Sequence, residues 1–362
     1  MKRLSGRWRR CVTVGVCAAA MLLNACDEPV SPTKASETAE QAQADAYGKI
    51  GEERAKAEGA ALIGLSGPNI VFDTLDGGSI SLADSYGRKP VYLKMWATWC
   101  VPCREQMPHL KETYARIKDT FTVVAVASGF SETKQDVRRY VEDMGLAMPV
   151  AIDDGRLAAA LKLRVTPLHV VIGRTGQIVY VGHLANNALG QALNEAALQP
   201  VASEVKNDKP AENTPAWTAL PERTLTLVGG DSIDLRNKDE NRTVLIFLSP
   251  WCEDYLAQSQ PTRSTRCHDV REVAERLSTT GNTRWIGVAS GLWSDESDVR
   301  AYRDGYKVSI PLALDKTGDL FRGFGVSAVP AIQVFDADGY RILNIDDAIV
   351  DSNWLTEIEA AL

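Results

Sequence analysis

Short apolar runs alternate along the chain with stretches of helical spacing, and the whole pattern occurs twice. In the first set, Ile70-Val71-Phe72 and Ser79-Ile80-Ser81 flank Asp76-Gly77-Gly78, a hairpin signal. Val91-Tyr92-Leu93-Lys94-Met95 then reads as a buried strand that ends in Trp96-Ala97-Thr98-Trp99-Cys100. Beyond it, Met107, Leu110, Tyr114 and Ile117 share one face of a helix, and Val137, Tyr140, Val141 and Met144 share one face of another. Val123 to Ala127 and His169 to Ile172 predict further strands, with Gln177 to Val181 as a hairpin partner. This order implies an α/β fold, a small central sheet covered by helices on both faces.

The second set answers the first. Leu225-Thr226-Leu227 and Gly229-Gly230-Asp231 repeat the hairpin, Val244 to Leu248 repeats the buried strand, and Ser249-Pro250-Trp251-Cys252 repeats its end. Val288-Ala289-Ser290-Gly291 matches Val126-Ala127-Ser128-Gly129, and Pro311 and Pro149 each follow that glycine by 20 residues. Ala328-Val329-Pro330 matches Val165-Thr166-Pro167. A shared order of this length implies internal duplication. The length of 362 residues suits two domains of roughly 150 residues each. The expected division is 1–25 signal peptide, 26–62 flexible tether, 63–199 first domain, 200–216 linker rich in Pro and polar residues, and 217–362 second domain.

The N-terminus changes the compartment. Lys2, Arg3, Arg7, Arg9 and Arg10 precede an apolar stretch from Val12 to Leu23, which is shorter than the roughly 20 residues a membrane span requires. This reads as a secretory signal. With those five cations and no acid removed, the formal charge goes from −7 to −12, which argues against nucleic-acid binding. Leu23-Asn24-Ala25-Cys26 resembles the bacterial lipobox, which implies cleavage before Cys26 and lipid attached to its thiol. A plain signal peptide cut near Ala25, or an uncleaved anchor, is the alternative. Asp27 after the cysteine resembles an inner-membrane retention signal, so the expected location is the periplasmic face of the inner membrane.

Cys11 and Cys17 leave with the signal and Cys26 carries lipid, so Cys100, Cys103, Cys252 and Cys267 remain in an oxidising compartment. Cys100-Val101-Pro102-Cys103 sits where a strand ends and a helix begins. A thiol there faces unpaired backbone N–H groups and the positive end of the helix dipole, both favouring the nucleophilic thiolate. Cys100 is therefore the expected nucleophile and Cys103, one turn along, the resolving thiol. Pro102 fits the first turn, where its missing N–H costs little. Structural zinc needs two further ligands, and the four histidines are not in ligand spacing, so neither metal nor cofactor is expected. In the second set Tyr255 stands where Cys103 would be. Cys to Gly spans 29 residues in the first set and 39 in the second, so an insertion of about ten residues, including Gln258 to Arg266, delivers Cys267. Cys252–Cys267 is expected as a structural bridge tying down that insertion; a redox pair is the competing reading.

Trp96-Ala97-Thr98-Trp99-Cys100-Val101-Pro102-Cys103, followed by Met107-Pro108, resembles the TlpA/ResA-like thioredoxin-fold proteins over about 66–185. The resemblance implies a thioredoxin fold for this stretch, and with the internal duplication two tandem thioredoxin-like folds, the second degenerate. It implies thiol-disulfide exchange on protein disulfides, including apocytochrome c, fed by a membrane electron donor of the DsbD/CcdA type. It also implies a cis peptide bond at Thr166-Pro167, with Trp99, Val101, Pro102, Thr166 and Pro167 contacting substrate. Val-Pro between the cysteines resembles the reducing members. Two departures stand out. Gln106 occupies the place of a titrating glutamate, with Glu105 expected to face elsewhere. Lys94 occupies the place of thioredoxin's buried acid, and is expected to extend its ammonium to the surface, though a buried cation would favour the thiolate. A Sco-type copper chaperone would pair the cysteines with His169, but its spacing is C-x-x-x-C. The peroxiredoxin T-x-x-C also fails, since Thr98 lies two residues before Cys100. A docking role for the second domain is the alternative to catalysis alone.

Overall fold

The computed structural model describes residues 34–201, 215–236, 241–279, 283–346 and 353–362, with side chains from residue 45 onward. The expected signal peptide, Cys26 and most of the expected 200–216 linker lie outside the described residues. Among the described residues, no helix is long and apolar enough to cross a membrane.

Helix α1 (Lys34–Gly59) leads into a hairpin of β1 (Val71–Asp73) and β2 (Ser79–Ser81). The first domain continues with β3 (Val91–Trp96), α2 (Val101–Glu105), α3 (Met107–Ile117), β4 (Thr122–Ala127) and α4 (Lys134–Met144). It closes with β5 (Val150–Ile152), α5 (Arg156–Ala160), β6 (Leu168–Ile172), β7 (Ile178–Gly182) and α6 (Asn187–Leu198). Its sheet runs β5-β4-β3-β6-β7, with β3, β4 and β5 parallel and β6 and β7 successively antiparallel. Every residue of β3 is buried, as its apolar run requires of a central strand covered on both faces.

The second domain repeats this plan. Its hairpin is β8 (Thr224–Thr226) and β9 (Ser232–Asp234), and its central strand is β10 (Thr243–Leu248). There follow α7 (Cys252–Tyr255), α8 (Pro261–Ser278), β11 (Arg284–Ser290), α9 (Glu296–Tyr306), β12 (Leu312–Asp315), α10 (Asp319–Phe324), β13 (Ala331–Phe335), β14 (Arg341–Ile345) and α11 (Trp354–Ala361). Its strand order, β12-β11-β10-β13-β14, is the first domain's order over again. Each hairpin also bridges to its sheet edge at the same place, Thr74 to Ala151 and Leu227 to Ala313. The tandem thioredoxin-like α/β fold is thus what the chain adopts.

Local signals explain several ends. Thr133 and Asp136 form a capping box at α4, and Asp295 and Asp298 form one at the equivalent α9. Gly129 has φ +69, and a Cβ there would lie 2.3 Å from the Asp153 carbonyl, so no larger residue fits. The helix after Cys100 is broken at Gln106 because Pro108 cannot supply an amide to continue it. The expected ten-residue insertion forms the loop before α8 and that helix's first turns.

The expectation of a solvated spacer over 26–62 fails for its C-terminal part. Ala55, Leu62 and Glu52 are buried. Arg54 reaches Asp295 and Asp298, each at 2.8 Å, and Lys316 reaches Glu58 at 3.3 Å. The second half of α1 therefore packs against both domains.

Candidate active site

Strand β3 carries the chain through the sheet centre and delivers Trp99-Cys100 at the head of α2. Cys100 caps that helix: its Sγ accepts the Cys103 N–H at 3.1 Å. Cys100 and Cys103 are joined as a disulfide, with Cα atoms 5.2 Å apart. Cys100 Sγ also lies 3.3 Å from the Thr166 carbonyl oxygen, across from the cis peptide bond Thr166-Pro167. The cysteine pair and the proline loop, 66 residues apart, thus form one site. Within it, Trp99, Thr166 and Pro167 are buried and Pro102 half-buried, while Val101 is 45% exposed.

Beneath the disulfide lies a buried polar chain. Tyr92 hydroxyl donates to His169 Nδ1 at 2.8 Å, and His169 Nε2 donates to Gln106 Oε1 at 2.8 Å. Gln106 Nε2 donates to the His183 carbonyl at 3.3 Å. His183 Nδ1 donates to the Pro167 carbonyl at 2.7 Å, and its backbone N–H donates to Glu52 Oε2 at 2.7 Å. Gln106 serves this chain as acceptor and donor together, which a carboxylate cannot. Glu105 is exposed, as expected. Both nitrogens of His169 are engaged, so it offers no lone pair to copper beside the cysteines. Burial holds its pKa well below the usual histidine value.

Lys94 does not reach the surface. It is fully buried, its Nζ has no hydrogen-bond partner, and desolvation lowers its pKa to about 7. The reason is position: Lys94 pairs with His169 in the sheet centre, under α3, too far from any edge for four methylenes to span.

Several participants lie outside the sequence expectations. Glu132 accepts from the Thr98 N–H at 2.7 Å and the Gly129 N–H at 3.0 Å, and burial raises its pKa to about 7. Its counterpart in the second domain is Ser294, so comparing the two repeats would have flagged it. Tyr255 accepts the Val101 N–H at 3.0 Å, and Trp251 stacks on Trp99 with ring centroids 4.9 Å apart. Trp293 donates to Thr166 Oγ1 at 3.4 Å and meets His183 edge-on. The second domain thus faces the disulfide with its own degenerate end. Cys252 is joined to Cys267, Cα atoms 6.2 Å apart, linking α7 to α8. Among the described residues, no group of three or more His, Cys, Asp or Glu side chains is placed to hold a metal ion.

The redoxin family model matches residues 63–196, within the first domain. The thiol-disulfide oxidoreductase ResA of Bacillus anthracis is 36% identical over 118 residues, 32% of this chain and 67% of that protein. The thioredoxin-like protein YneN of Bacillus subtilis is 31% identical over 134 residues, 36% of this chain and 78% of that protein. Among solved structures, the thioredoxin domain of a thiol-disulfide oxidoreductase from Bacteroides vulgatus is 25% identical. It covers 37% of this chain and 96% of its own, with a TM-score of 0.33. The chain belongs to the redoxin family of thioredoxin-fold thiol-disulfide oxidoreductases.

Proposed function

We propose that the chain works as a reductase of protein disulfides at the periplasmic face of the inner membrane, held there through lipid on Cys26. The observation that carries the chemistry is Cys100 capping α2, its sulfur accepting the Cys103 amide. In the reduced form that N–H stabilises the Cys100 thiolate. The thiolate attacks one sulfur of a substrate disulfide, forming a mixed disulfide and expelling the substrate's other sulfur as thiolate. Cys103, deprotonated, then attacks Cys100 Sγ; the second substrate sulfur leaves as thiolate, and the Cys100–Cys103 disulfide results. Two electrons pass to the substrate, and a membrane dithiol donor of the DsbD/CcdA type returns them. Apocytochrome c, with paired cysteines, suits this substrate class.

The test is a Cys103→Ser chain expressed with its own signal. It is expected to accumulate mixed disulfides between Cys100 and exported proteins in the membrane fraction, released by dithiothreitol. Recovery of the chain only in soluble form, or of no adducts dependent on Cys100, would refute the proposal. A docking role for the second domain gains support from one contact, the Tyr255 hydroxyl on the Val101 amide.

A further inference from the structure

Thiol-disulfide exchange needs the incoming sulfur in line with the breaking S–S bond, so it needs an open approach to the attacked or attacking sulfur. That approach is closed. Cys100 is 1% exposed and Cys103 fully buried. The first domain's own core covers one side, and the other side is covered by the second domain. Tyr255 takes the Val101 N–H, Trp251 lies on Trp99, and Trp293 lies against Thr166, whose carbonyl touches Cys100 Sγ.

The contact has the form of a two-fold pairing between the repeats. The Ser131 N–H donates to the Ser327 carbonyl at 2.8 Å, and its counterpart, the Trp293 N–H, donates to the Arg164 carbonyl at 2.7 Å. Ser131 and Trp293 share the left-handed backbone, φ +56 and +59, that this crossing requires. Isologous contacts of this kind are the geometry of a dimer, realised here within one chain. Arg164 anchors it, donating to the carbonyls of Gly291 at 2.9 Å, Lys316 at 3.1 Å and Ser294 at 2.5 Å. The interface is rich in aromatic rings and backbone hydrogen bonds, and Arg263 of the second domain donates to the Ser131 carbonyl as Arg164 does to the carbonyls opposite it. It is therefore a specific fit for a second thioredoxin-like face.

We propose that the second domain is the resident occupant of the catalytic domain's substrate face, and that a protein substrate reaches Cys100 only by displacing it. Tyr255, standing where a resolving cysteine would be, and Trp293 are the two side chains that a substrate must replace. The proposal rests on Cys100 being the exchange nucleophile, and gives the second domain a role in governing its access.

The test uses the full chain. Reduced wild type, Tyr255→Phe and a Tyr255→Ala/Trp293→Ala double variant are followed for alkylation of Cys100 by iodoacetamide and for reduction of insulin. Tyr255→Phe removes one hydrogen bond and should speed both by roughly fivefold. The double variant should speed both by about tenfold or more. Equal rates in all three folded proteins would overturn the proposal while leaving the exchange chemistry standing. Failure of every protein to reduce insulin, with rapid alkylation throughout, would instead refute the chemistry and the occlusion together. Should the double variant unfold, hydrogen exchange of the wild type decides. The Val101, Ser131 and Trp293 amides, all bonded across the interface, should be protected and open together. Exchange at unprotected rates would overturn the docked state.

Discussion

Replacing Lys94 by Met should stabilise the protein, and the size of the gain follows from burial. The ammonium is fully buried with no hydrogen-bond partner, and its pKa falls from 10.5 to about 7. At about 1.4 kcal/mol per unit, carrying Lys94 into the fold at neutral pH costs roughly 5 kcal/mol as an upper figure. Met has nearly the same length and no charge, so Lys94→Met should recover about 2 to 5 kcal/mol. The pH dependence is more specific than the size. Between pH 7 and 10.5 the unfolded chain holds a proton on Lys94 that the folded chain has lost. Stability must therefore rise with pH across that window. From pH 7.5 to 9.5 the wild type should gain about 2 to 3 kcal/mol relative to Lys94→Met, because all other groups cancel in the difference. Urea unfolding of the oxidised proteins by tryptophan fluorescence measures both quantities. A destabilised Lys94→Met protein, or a difference that does not change with pH, would refute the buried, unpaired ammonium.

Other predictions follow from the same geometry. Glu52→Gln should cost about 1.5 to 3 kcal/mol, read as a lower urea midpoint, because the carboxylate receives the His183 and Leu184 amides. Burial pushes the Glu52 carboxyl up, but those amides and Lys56 pull it below its ordinary value. Its stabilising effect is therefore present above pH 4.5 and lost as pH falls through the lowered value. Glu132, raised by burial to about 7, has the opposite sign: its contribution weakens as pH rises from 4.5 to 7. Glu132→Gln should accordingly gain about 1 to 2 kcal/mol on the wild type over that range, since a half-buried group is partly screened. Cys252→Ser should lower stability by about 3 kcal/mol, from the 15-residue separation it closes, while exchange at Cys100 persists; loss of exchange would favour a redox pair. Cys100 should alkylate with a midpoint below the free-cysteine value of about 8.5, and a midpoint at or above it would refute thiolate stabilisation.

The catalytic pair was legible because its signals are local. A central strand, Trp99 at its end and a helical stripe from Met107 to Ile117 place Cys100 and Cys103 without any tertiary information. The three-residue strands β1 and β2 are legible because Asp76-Gly77-Gly78 marks their turn, whereas a short strand without a turn signal and an Ala-rich helix are not. Strand β5 has three residues and is defined by pairing with β4, and α6 buries Leu189, Ala192, Leu193 and Ala196 with few large side chains. The chain from Tyr92 through His169, Gln106 and His183 to Glu52 joins residues as far as 131 apart, so no periodicity could reveal it. The burial of Lys94 is not legible in the sequence, because side-chain length suggests reach whereas the distance from the sheet centre to solvent is a tertiary quantity.

Tyr255 shows most clearly where sequence and structure part. Read along the chain, it is the loss of a resolving cysteine and marks the second domain as degenerate. In the fold, its hydroxyl takes the amide of Val101, the residue between Cys100 and Pro102, while Trp251 covers Trp99. A cysteine at 255 could not make that bond well, since a thiol is a weak acceptor and shorter than a phenol. The residue that stands in place of a C-x-x-C resolving cysteine in the second domain therefore supplies a contact that binds it to the first. Pairing of the two repeats explains why both keep a Trp-Cys end, a cis-proline loop and a left-handed residue at 131 and 293, although only one retains the C-x-x-C pair. These features are the interface itself, and an interface between repeats is preserved by stability whether or not both halves react.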